Sequence, residues 1–363
     1  MKATALLRAW LVLASLILGL FARGVWADEV VLMKGVTPAV GEKKQEFGDK
    51  FKKKGPWKIG MSHFGLSNSW SIQMASEAQF AAESNPNVAK FFLRDAELST
   101  AKQFTDINDL IDQGVDALIV TPLTPTSAEP GIRRALAAGI PVIVHTGLTG
   151  KDEFTVEIQG GGVYFGKVMG DWLVHQLKGS GAIWELRGVP RHPEDINRNR
   201  GLMDALKDTD VHIRLGGYGD WSYKGGRTLC KELYQVNPDV DGIWSSGADM
   251  ARGCIDSLKE LHAAIPPITG EGNNGFFKEW RDNKLTAIAP EFGPELGAAG
   301  VRAAIAILEG KSLYKHYAYN PPPITLENRD KYLRDDLADE YWFPSALSED
   351  KKKALYGSKK PIH

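Results

Sequence analysis

Short apolar runs alternate with longer amphipathic stretches from Trp57 onward. Four runs in the first half are predicted to be strands, at residues 58–61, 88–93, 117–121 and 142–145. They recur at intervals of about 25 to 30 residues, with a helix-like stretch after each, as in βαβ units. The pattern therefore predicts a parallel sheet covered by helices.

Two of these helices have clear predicted ends. Ser99 is a candidate N-cap for the helix after the second strand, and Gly114 ends its apolar pattern. The next helix is predicted from about 127 to 138, where it stops at Gly139. These signals are local, so we expect the boundaries to hold whatever the tertiary arrangement is.

A second series of units follows the run of glycines at 160–162. Its predicted strands are 182–186, 212–215, 242–245, 268–270 and 286–289. Its predicted helices are 163–177, 195–206, 223–235, 249–261 and 276–281, followed by a helix at 295–309 that is rich in small residues. The chain is therefore predicted to form two similar α/β lobes.

The amino end predicts export from the cytoplasm. Lys2 and Arg8 precede an apolar run at 9–21, and the small residues Val25 and Ala27 fit a signal-peptidase site with cleavage after Ala27. The run is too short to span a bilayer, which needs about 20 residues. No cysteine lies near this site, so we expect residues 1–27 to be a cleaved signal peptide and the mature protein to be free in the periplasm.

Composition narrows the function classes. The 363 residues carry 44 Lys and Arg against 45 Asp and Glu, and this balance argues against a nucleic-acid partner. The only two cysteines, Cys230 and Cys254, are too few for a disulfide scaffold or a cysteine zinc site. A disulfide between them and a pair of buried free thiols both remain open.

The residues that follow the predicted strands mix aromatic rings with side chains that form two hydrogen bonds. In open parallel sheets these positions meet at one edge, where ligands bind. Aromatic surfaces contact the C–H faces of sugar rings, and Arg, Asn, Asp and Glu pair with vicinal hydroxyl groups. This mixture favours a neutral polyhydroxylated ligand.

No catalytic motif stands out. The chain lacks a GxxxxGK[ST] phosphate loop, an HExxH helix, an EF-hand loop and a nucleophile elbow, and its histidines show no metal-ligand spacing. We therefore expect no catalytic residue, no metal and no cofactor.

Several segments together resemble a known family. The runs are KIGMSHFGLSNSW, DLIDQGVDALIVTPLTPTSAEPGIRRALAAGIPVIVHTG, NRNRGLMDAL, NPDVDGIWSSGADMARGCIDSL and GKSL. They are similar to the type I periplasmic sugar-binding proteins of ABC importers, of the ribose-binding class. The resemblance covers about residues 57–325, and GVDALIVTP followed by AAGIPVIV is its most specific part.

The resemblance implies two Rossmann-like lobes with parallel sheets, joined by a three-strand hinge. Crossings near Gly160, Phe292 and Pro322 would give an N-terminal lobe of residues 57–160 and 292–322, and a C-terminal lobe of 161–291 and 323–345. A basic extension at 28–56 would precede the lobes, and a charged tail at 346–363 would follow them. Within the extension, the lysine-rich stretch at 42–55 is expected to be solvated.

The resemblance also implies ligand-binding residues. Matching motif to motif gives Asn68, Trp70, Arg200, Trp221 and Glu291. This chain departs from ribose binders at Thr146, Gly147, Gly247 and Gly272, so a ribose pocket is not expected. Further candidates for a different stereochemistry complete the predicted site: His63, His145, Thr146, Asp249, Asn273 and Asn274.

We therefore expect a periplasmic solute-binding protein that captures a monosaccharide or polyol between the lobes and delivers it to an inner-membrane ABC permease. The protein is expected to be a monomer. A sensory ligand-binding component shares the fold and remains an alternative, and a secreted enzyme is less favoured. The export signal and the lack of an amino-terminal helix-turn-helix argue against a repressor with the same core.

Overall fold

The computed structural model describes residues 29–146 and 152–358 of the chain. The expected signal peptide, Gly147 and the last five residues lie outside this part. None of the described helices is long and apolar enough to cross a membrane.

Fourteen strands and ten α-helices form the described part of the chain. The strands are β1 Val36–Pro38, β2 Lys44–Gln45, β3 Trp57–His63, β4 Val88–Asp95, β5 Ala117–Thr121, β6 Val142–His145, β7 Val156–Gly160, β8 Ser180–Arg187, β9 Asp210–Tyr218, β10 Gly242–Ser245, β11 Ile268–Thr269, β12 Ala287–Ile288, β13 Leu313–Tyr314 and β14 His316–Tyr319. The helices are α1 Ser69–Glu83, α2 Thr100–Asp112, α3 Glu129–Ala137, α4 Gly162–Gln176, α5 Pro193–Leu206, α6 Tyr223–Val236, α7 Ala248–Glu260, α8 Asn274–Asp282, α9 Leu296–Leu308 and α10 Glu349–Tyr356.

Two separate sheets organise these elements. The first has the order β1-β14-β7-β6-β5-β3-β4 and is parallel except for β1. The second has the order β12-β11-β10-β8-β9 and is parallel throughout. We call the first sheet, the helices α1–α3 and α9, and the separate pair of strands β2 and β13 the N-lobe. We call the elements on the second sheet, α4–α8 and β8–β12, the C-lobe.

The predicted α/β class is confirmed, and the helices lie close to the predicted positions. Ser99 caps α2 by accepting a hydrogen bond from the Lys102 backbone N–H, and Gly114 follows that helix with φ +70°. Gly139, at φ +75°, follows α3 in the same way. Both glycines adopt the left-handed conformation that terminates helices and that other residues adopt at a cost.

The chain passes between the two sheets at three places. β7 ends at Gly160 and leads into α4 of the C-lobe. After β12 the chain returns to the N-lobe, where α9 packs on α1, β5 and β6. After β14 it crosses again, because Ile324 pairs with Ala289 beside β12. The parallel sheets and these connections match the predicted architecture.

The expectation that the basic stretch at 42–55 is solvated is wrong where β2 pairs with β13 and Phe51 is buried, and residues before it also pack on the N-lobe. β1 adds an edge strand to the N-lobe sheet by pairing with β14, and β2 pairs with β13. Leu32, Met33 and Phe51 are buried. The many lysines in this segment make its sequence look polar, but its few apolar residues pack in the protein interior.

The carboxyl-terminal region is also more ordered than a charged tail. α10 follows Ser348, whose hydroxyl caps it, and Leu337 pairs with Gly357 after the helix ends. The Tyr341 and Tyr356 rings lie 5.6 Å apart. Aromatic packing therefore holds a segment whose sequence is dominated by charge.

The structure settles the question left open about the cysteines. Cys230 in α6 and Cys254 in α7 form a disulfide, with their Cα atoms 5.1 Å apart. Both residues are fully buried. The bond joins two neighbouring helices on one face of the C-lobe sheet.

Candidate functional site

A cavity lies between the N-lobe and the C-lobe. It is at the carboxyl ends of the strands, where loops of both sheets meet. The N-lobe lines it with Phe64, Asn68, Trp70 and Thr146. The C-lobe and the chain beyond it line the rest with His192, Glu194, Arg198, Trp221, Gly247, Ala248, Glu271, Phe292 and Trp342.

A buried guanidinium forms the charged centre of the cavity. Arg198 Nε donates to Glu194 Oε1 at 2.8 Å, and its Nη2 donates to Glu271 Oε1 at 3.1 Å. Its Nη1 also donates to the Ser246 carbonyl oxygen. All three charged residues are 2% or 3% exposed. The planar guanidinium of Arg198 therefore holds the two carboxylates and the loop at Ser246 in fixed positions relative to one another.

Burial dominates the electrostatics of this cluster. It raises the pKa of Glu271 to about 7, although Arg198 opposes the shift. The pKa of Glu194 is also raised by burial, against the attraction of the same guanidinium. Removing a carboxylate from water disfavours its charged form, and one guanidinium does not fully compensate two carboxylates.

Aromatic rings cover the charged centre from two sides. The Arg198 guanidinium carbon lies 3.8 Å from the ring centre of Phe165 and 4.7 Å from that of Phe292. Phe292 in turn stacks on Trp70, with ring centres 4.8 Å apart and an angle of 15° between the planes. A Cβ atom at Gly160 would lie 1.9 Å from the Phe292 ring, so this crossing must be glycine for the ring to sit there.

Hydrogen bonds fix the orientation of the two indoles expected from the sequence. Trp70 Nε1 donates to the Phe292 carbonyl oxygen at 2.7 Å, and Trp221 Nε1 donates to Ser246 Oγ at 3.1 Å. Trp221 also lies against Gly188, where a Cβ atom would come within 1.9 Å of the indole. Both rings are therefore positioned without using any ligand.

Direct contacts hold the two walls together beside the cavity. Ser69 Oγ, at the start of α1, donates to Asp249 Oδ2 at 2.6 Å in α7. Trp342 Nε1 donates to the same Ser69 oxygen at 2.7 Å. The Trp342 backbone also exchanges two hydrogen bonds with the Gln73 side chain. In this conformation the cleft is closed, and the segment around Trp342 forms part of the contacts that close it.

Four of the predicted site residues line the cavity: Asn68, Trp70, Thr146 and Trp221. Asn68 also caps α1, because its side-chain oxygen accepts from the Ser71 backbone N–H at 2.8 Å. Thr146 follows β6 with φ +50°, an uncommon conformation for a β-branched residue. Three of the four N-lobe residues that line the cavity were therefore among the predicted site residues, and Phe64 was not.

The structure does not bring Arg200 to the cavity. Arg200 is exposed, whereas Arg198, two residues earlier on α5, is buried at the charged centre. The face of α5 that packs on α4 includes Gly201, where a Cβ atom would lie 2.1 Å from the Val163 carbonyl oxygen. Arg198 is three residues before Gly201 and shares that face, while Arg200 points away from it. The three-residue spacing between Arg198 and Gly201 was the sequence signal that Arg198, and not Arg200, lies on the buried face of α5.

Two predicted histidines lie outside the set of residues that line the cavity. His63 Nδ1 accepts from the Gly65 backbone N–H at 3.2 Å, and burial lowers the pKa of this residue to about 4. His145 is fully buried against Gly300, and burial lowers its pKa to about 3. Both rings are therefore neutral and pack in the N-lobe interior.

The remaining predicted residues hold other parts of the fold. Asp249 forms the Ser69 contact across the cleft and also accepts from Arg252 Nη1 at 3.2 Å. Asn273 caps α8, and the Asn274 side chain bonds the backbone of the carboxyl-terminal region at Arg334 and Leu337. Glu291 accepts from the Tyr319 hydroxyl at 2.9 Å. None of these four residues lines the cavity.

Several cavity residues were absent from the predicted site. Phe64, His192, Glu271 and Phe292 follow strands, and their position was the only sequence signal. Glu194 sits in the first turn of α5 and pairs with Arg198 four residues later, a spacing visible in the sequence. Trp342 is far along the chain, and no local pattern indicates its place in the cavity.

The cavity is lined by hydrogen-bonding groups and aromatic rings. The structure shows no group of three or more His, Cys, Asp and Glu residues placed to hold a metal ion within residues 29–146 and 152–358. The buried arginine is held by two carboxylates rather than aimed at a nucleophile. The arrangement is suited to holding a polar molecule against aromatic surfaces.

Comparison with known proteins identifies the family. Residues 59–312 match the family model described as "Periplasmic binding protein domain". A ribose import binding protein from Bacillus subtilis is 25% identical over 271 residues, which cover 75% of this chain and 87% of that protein. A galactofuranose-binding protein from Escherichia coli is 24% identical, over 78% of this chain and 90% of that protein.

Solved structures share the fold. A protein from Mycobacterium smegmatis in complex with β-D-fucofuranose matches with a TM-score of 0.71 and 20% identity, over 77% of this chain and 94% of that one. The fructose-binding periplasmic domain of a hybrid two-component system matches with a TM-score of 0.68 and 23% identity, over 76% of this chain and 92% of that one.

Proposed function

The chain belongs to the periplasmic binding protein domain family, and from this premise we propose that it captures a monosaccharide or polyol in the cavity between its lobes and delivers it to an ABC permease. Members of this family bind ligands and do not transform them, so the chain is a binding protein and not an enzyme. The family is also periplasmic. We propose that residues 1–27 direct export and are then removed.

One observation carries the choice of ligand class. The cavity combines stacked aromatic surfaces with the buried Arg198, Glu194 and Glu271 cluster. Sugars and polyols can place their C–H groups against aromatic rings, and their hydroxyl groups can form hydrogen bonds with guanidinium and carboxylate groups. The ribose and galactofuranose named for two relatives are ligands of this kind. Their names support the class but not one particular sugar.

We propose that Asn68, Trp70, Thr146 and Trp221 contact the ligand together with Arg198. A ligand that bridges the two walls binds the closed form better than an open form, so it shifts the equilibrium between them. The three crossings between the sheets would then act as the hinge, with lobe boundaries near 160, 292 and 322. No bond is made or broken, and the ligand leaves unchanged.

Intrinsic fluorescence offers the most direct test, because Trp70, Trp221 and Trp342 all line the cavity. The mature protein is unfolded and refolded to remove bound ligand, then titrated with D-ribose, L-arabinose, D-galactose, D-fructose, xylitol and myo-inositol. We expect a saturable change with micromolar or tighter affinity for at least one compound, recovered chemically intact. A refolded protein that responds to none of them contradicts the proposal.

A sensory role is the second candidate, and one observation favours it. The fructose-binding domain that shares this fold belongs to a two-component system. The same cavity would then report ligand to a membrane receptor rather than to a permease. Uptake of radiolabelled sugar by cells that lack the gene separates the roles, because only a transport component is required for accumulation.

A further inference from the structure

Two buried polar atoms at the cavity lack a partner within the described part of the chain. They are His192 Nε2 and Glu194 Oε2. Both residues line the cavity, and they are 2% and 3% exposed. A buried polar atom without a partner is destabilising, so a ligand that pairs with these atoms gains free energy on binding.

The backbone determines which histidine nitrogen carries the proton. His192 caps α5, and its Nδ1 accepts from the Glu194 backbone N–H at 3.1 Å. An imidazole nitrogen that accepts a hydrogen bond holds no proton. Burial, the neighbouring His63 and Arg198 lower the pKa of His192 to about 3, so the ring is neutral near pH 7. Its single proton is therefore on Nε2, which is a donor.

Glu194 is an acceptor at the same helix turn. Its Oε1 already accepts from Arg198 Nε and from the Gly162 backbone N–H at 3.1 Å. Its Oε2 is the atom left over. One donor, on the N-cap residue, and one acceptor, in the first turn, thus lie close in sequence at the start of α5, and a hydroxyl group can complement either of them.

We infer that His192 and Glu194 recognise hydroxyl groups of the ligand, with His192 Nε2–H donating to one oxygen and Glu194 Oε2 accepting a hydroxyl proton. The inference rests on the proposed function and sharpens it. It makes the start of α5 a specificity determinant of this site and requires a ligand with at least two hydroxyl groups. Neither residue belongs to the set derived from the family motifs.

A packing role is the competing explanation for the histidine. The His192 ring lies 4.5 Å from the Phe64 ring centre and 5.0 Å from that of Trp221, edge to face with both. A ring N–H that faces an aromatic surface is weakly satisfied without any ligand. The two explanations differ in whether substitution changes ligand selectivity.

The cap and the ligand contact can be separated by substitution. His192→Asn keeps an oxygen to cap α5, because asparagine is among the best N-cap residues, but it removes the Nε2 donor. Glu194→Gln can keep the Oε1 contacts with Arg198 and Gly162, and it replaces the Oε2 acceptor with an NH2 group that only donates. Ser99→Asn is the matched control, since it changes the N-cap of α2 away from the cavity.

Calorimetric titration of the parent and the three variants uses the same six sugars and polyols, followed by the mono-deoxy forms of the tightest binder. We expect His192→Asn and Glu194→Gln each to weaken the tightest binder by about tenfold or more, and Ser99→Asn to leave its affinity unchanged. We expect one deoxy form to bind the parent about tenfold more weakly than the full ligand does, while the His192→Asn variant binds that deoxy form and the full ligand equally well. We expect a deoxy form at a second position to show the same pattern with the Glu194→Gln variant.

The inference is overturned if both variants bind all six compounds and every deoxy form with the parent's affinities. It is also overturned if the parent tolerates removal of each hydroxyl group in turn, a result that needs no variant to fold. A parent that binds the panel while the variants are unaffected leaves the proposed function standing. A parent that binds none of the six removes the proposed function, and this inference with it.

Discussion

The two walls of the cavity are built from different chemistry. The N-lobe contributes Phe64, Asn68, Trp70 and Thr146, none of which ionises, whereas the C-lobe contributes the Arg198 cluster. The difference arises because the N-lobe directs its ionisable strand-end residues, His63 and His145, into its interior as neutral rings. Two sheets of similar topology can therefore line one side of the cavity with uncharged and aromatic side chains and the other side with ionisable ones.

The charged wall depends on one buried residue, and its neighbour on the same helix is the control. We expect Arg198→Ala to lower the free energy of unfolding by about 3–5 kcal/mol, because Glu194 and Glu271 lose their shared cation inside the protein. Ligand binding should be lost as well. Arg200→Ala, at an exposed position, should change stability by about 0.5 kcal/mol or less.

Urea unfolding and fluorescence titration of the two arginine variants check this prediction. Equal effects of the two substitutions would show that position on α5, and not burial between carboxylates, sets the role of the arginine. The comparison between the walls would then fail.

The C-lobe differs also in having a covalent cross-link between α6 and α7. Replacing both Cys230 and Cys254 with alanine should lower the free energy of unfolding by about 3 kcal/mol, chiefly because the unfolded chain becomes less restricted. Hydrogen exchange measured by mass spectrometry should show faster exchange in these two helices. An equal loss of protection in α1 and α2 would mean that the lobes unfold as one unit.

A smaller effect tests the neutral histidines of the N-lobe. His145 has its pKa lowered to about 3 by burial, while the unfolded chain has the ordinary value of about 6.5. Between these values the unfolded state binds more protons, so this residue reduces stability as the pH falls from about 6.5 toward 3. The parent should lose about 2 kcal/mol more than His145→Gln between pH 7 and pH 5.

The control for the pH experiment is His262→Gln, because His262 is exposed in the folded protein. Urea unfolding at both pH values gives the difference for each variant. A parent and a His145→Gln variant with the same pH dependence would show that the ring of His145 reaches water in the folded state.

Much of the fold follows from local signals. Ser99 and Gly114 determine both ends of α2 through a side-chain cap and a left-handed residue, and neither needs a tertiary partner. The strand β10 lies at the predicted residues because its apolar run is bounded by turn residues. The basic stretch at 42–55 was incorrectly predicted to be solvated, because the partner of its strand β2 is β13, which lies far along the chain.

The candidate site was only partly predictable, for reasons that individual residues show. Trp70 and Trp221 follow strands, and the sheet brings strand ends together. Asn273 and Asn274 follow a strand as well, but they form hydrogen bonds with the carboxyl-terminal region instead of facing the cavity. Position past a strand places a residue at the correct edge, but it does not set the direction of the side chain.

The α/β class, the ends of α2 and the strand ends that meet at the cavity can be predicted from the sequence, because periodicity and capping act over a few residues. The burial of Arg198 rather than Arg200 depends on tertiary packing, since the orientation of α5 is set by its close contact with α4 at Gly201. Tertiary packing also brought Trp342 to Ser69 across the cleft. Such contacts join residues whose chain separation leaves no local pattern, so only packing of the whole chain specifies them.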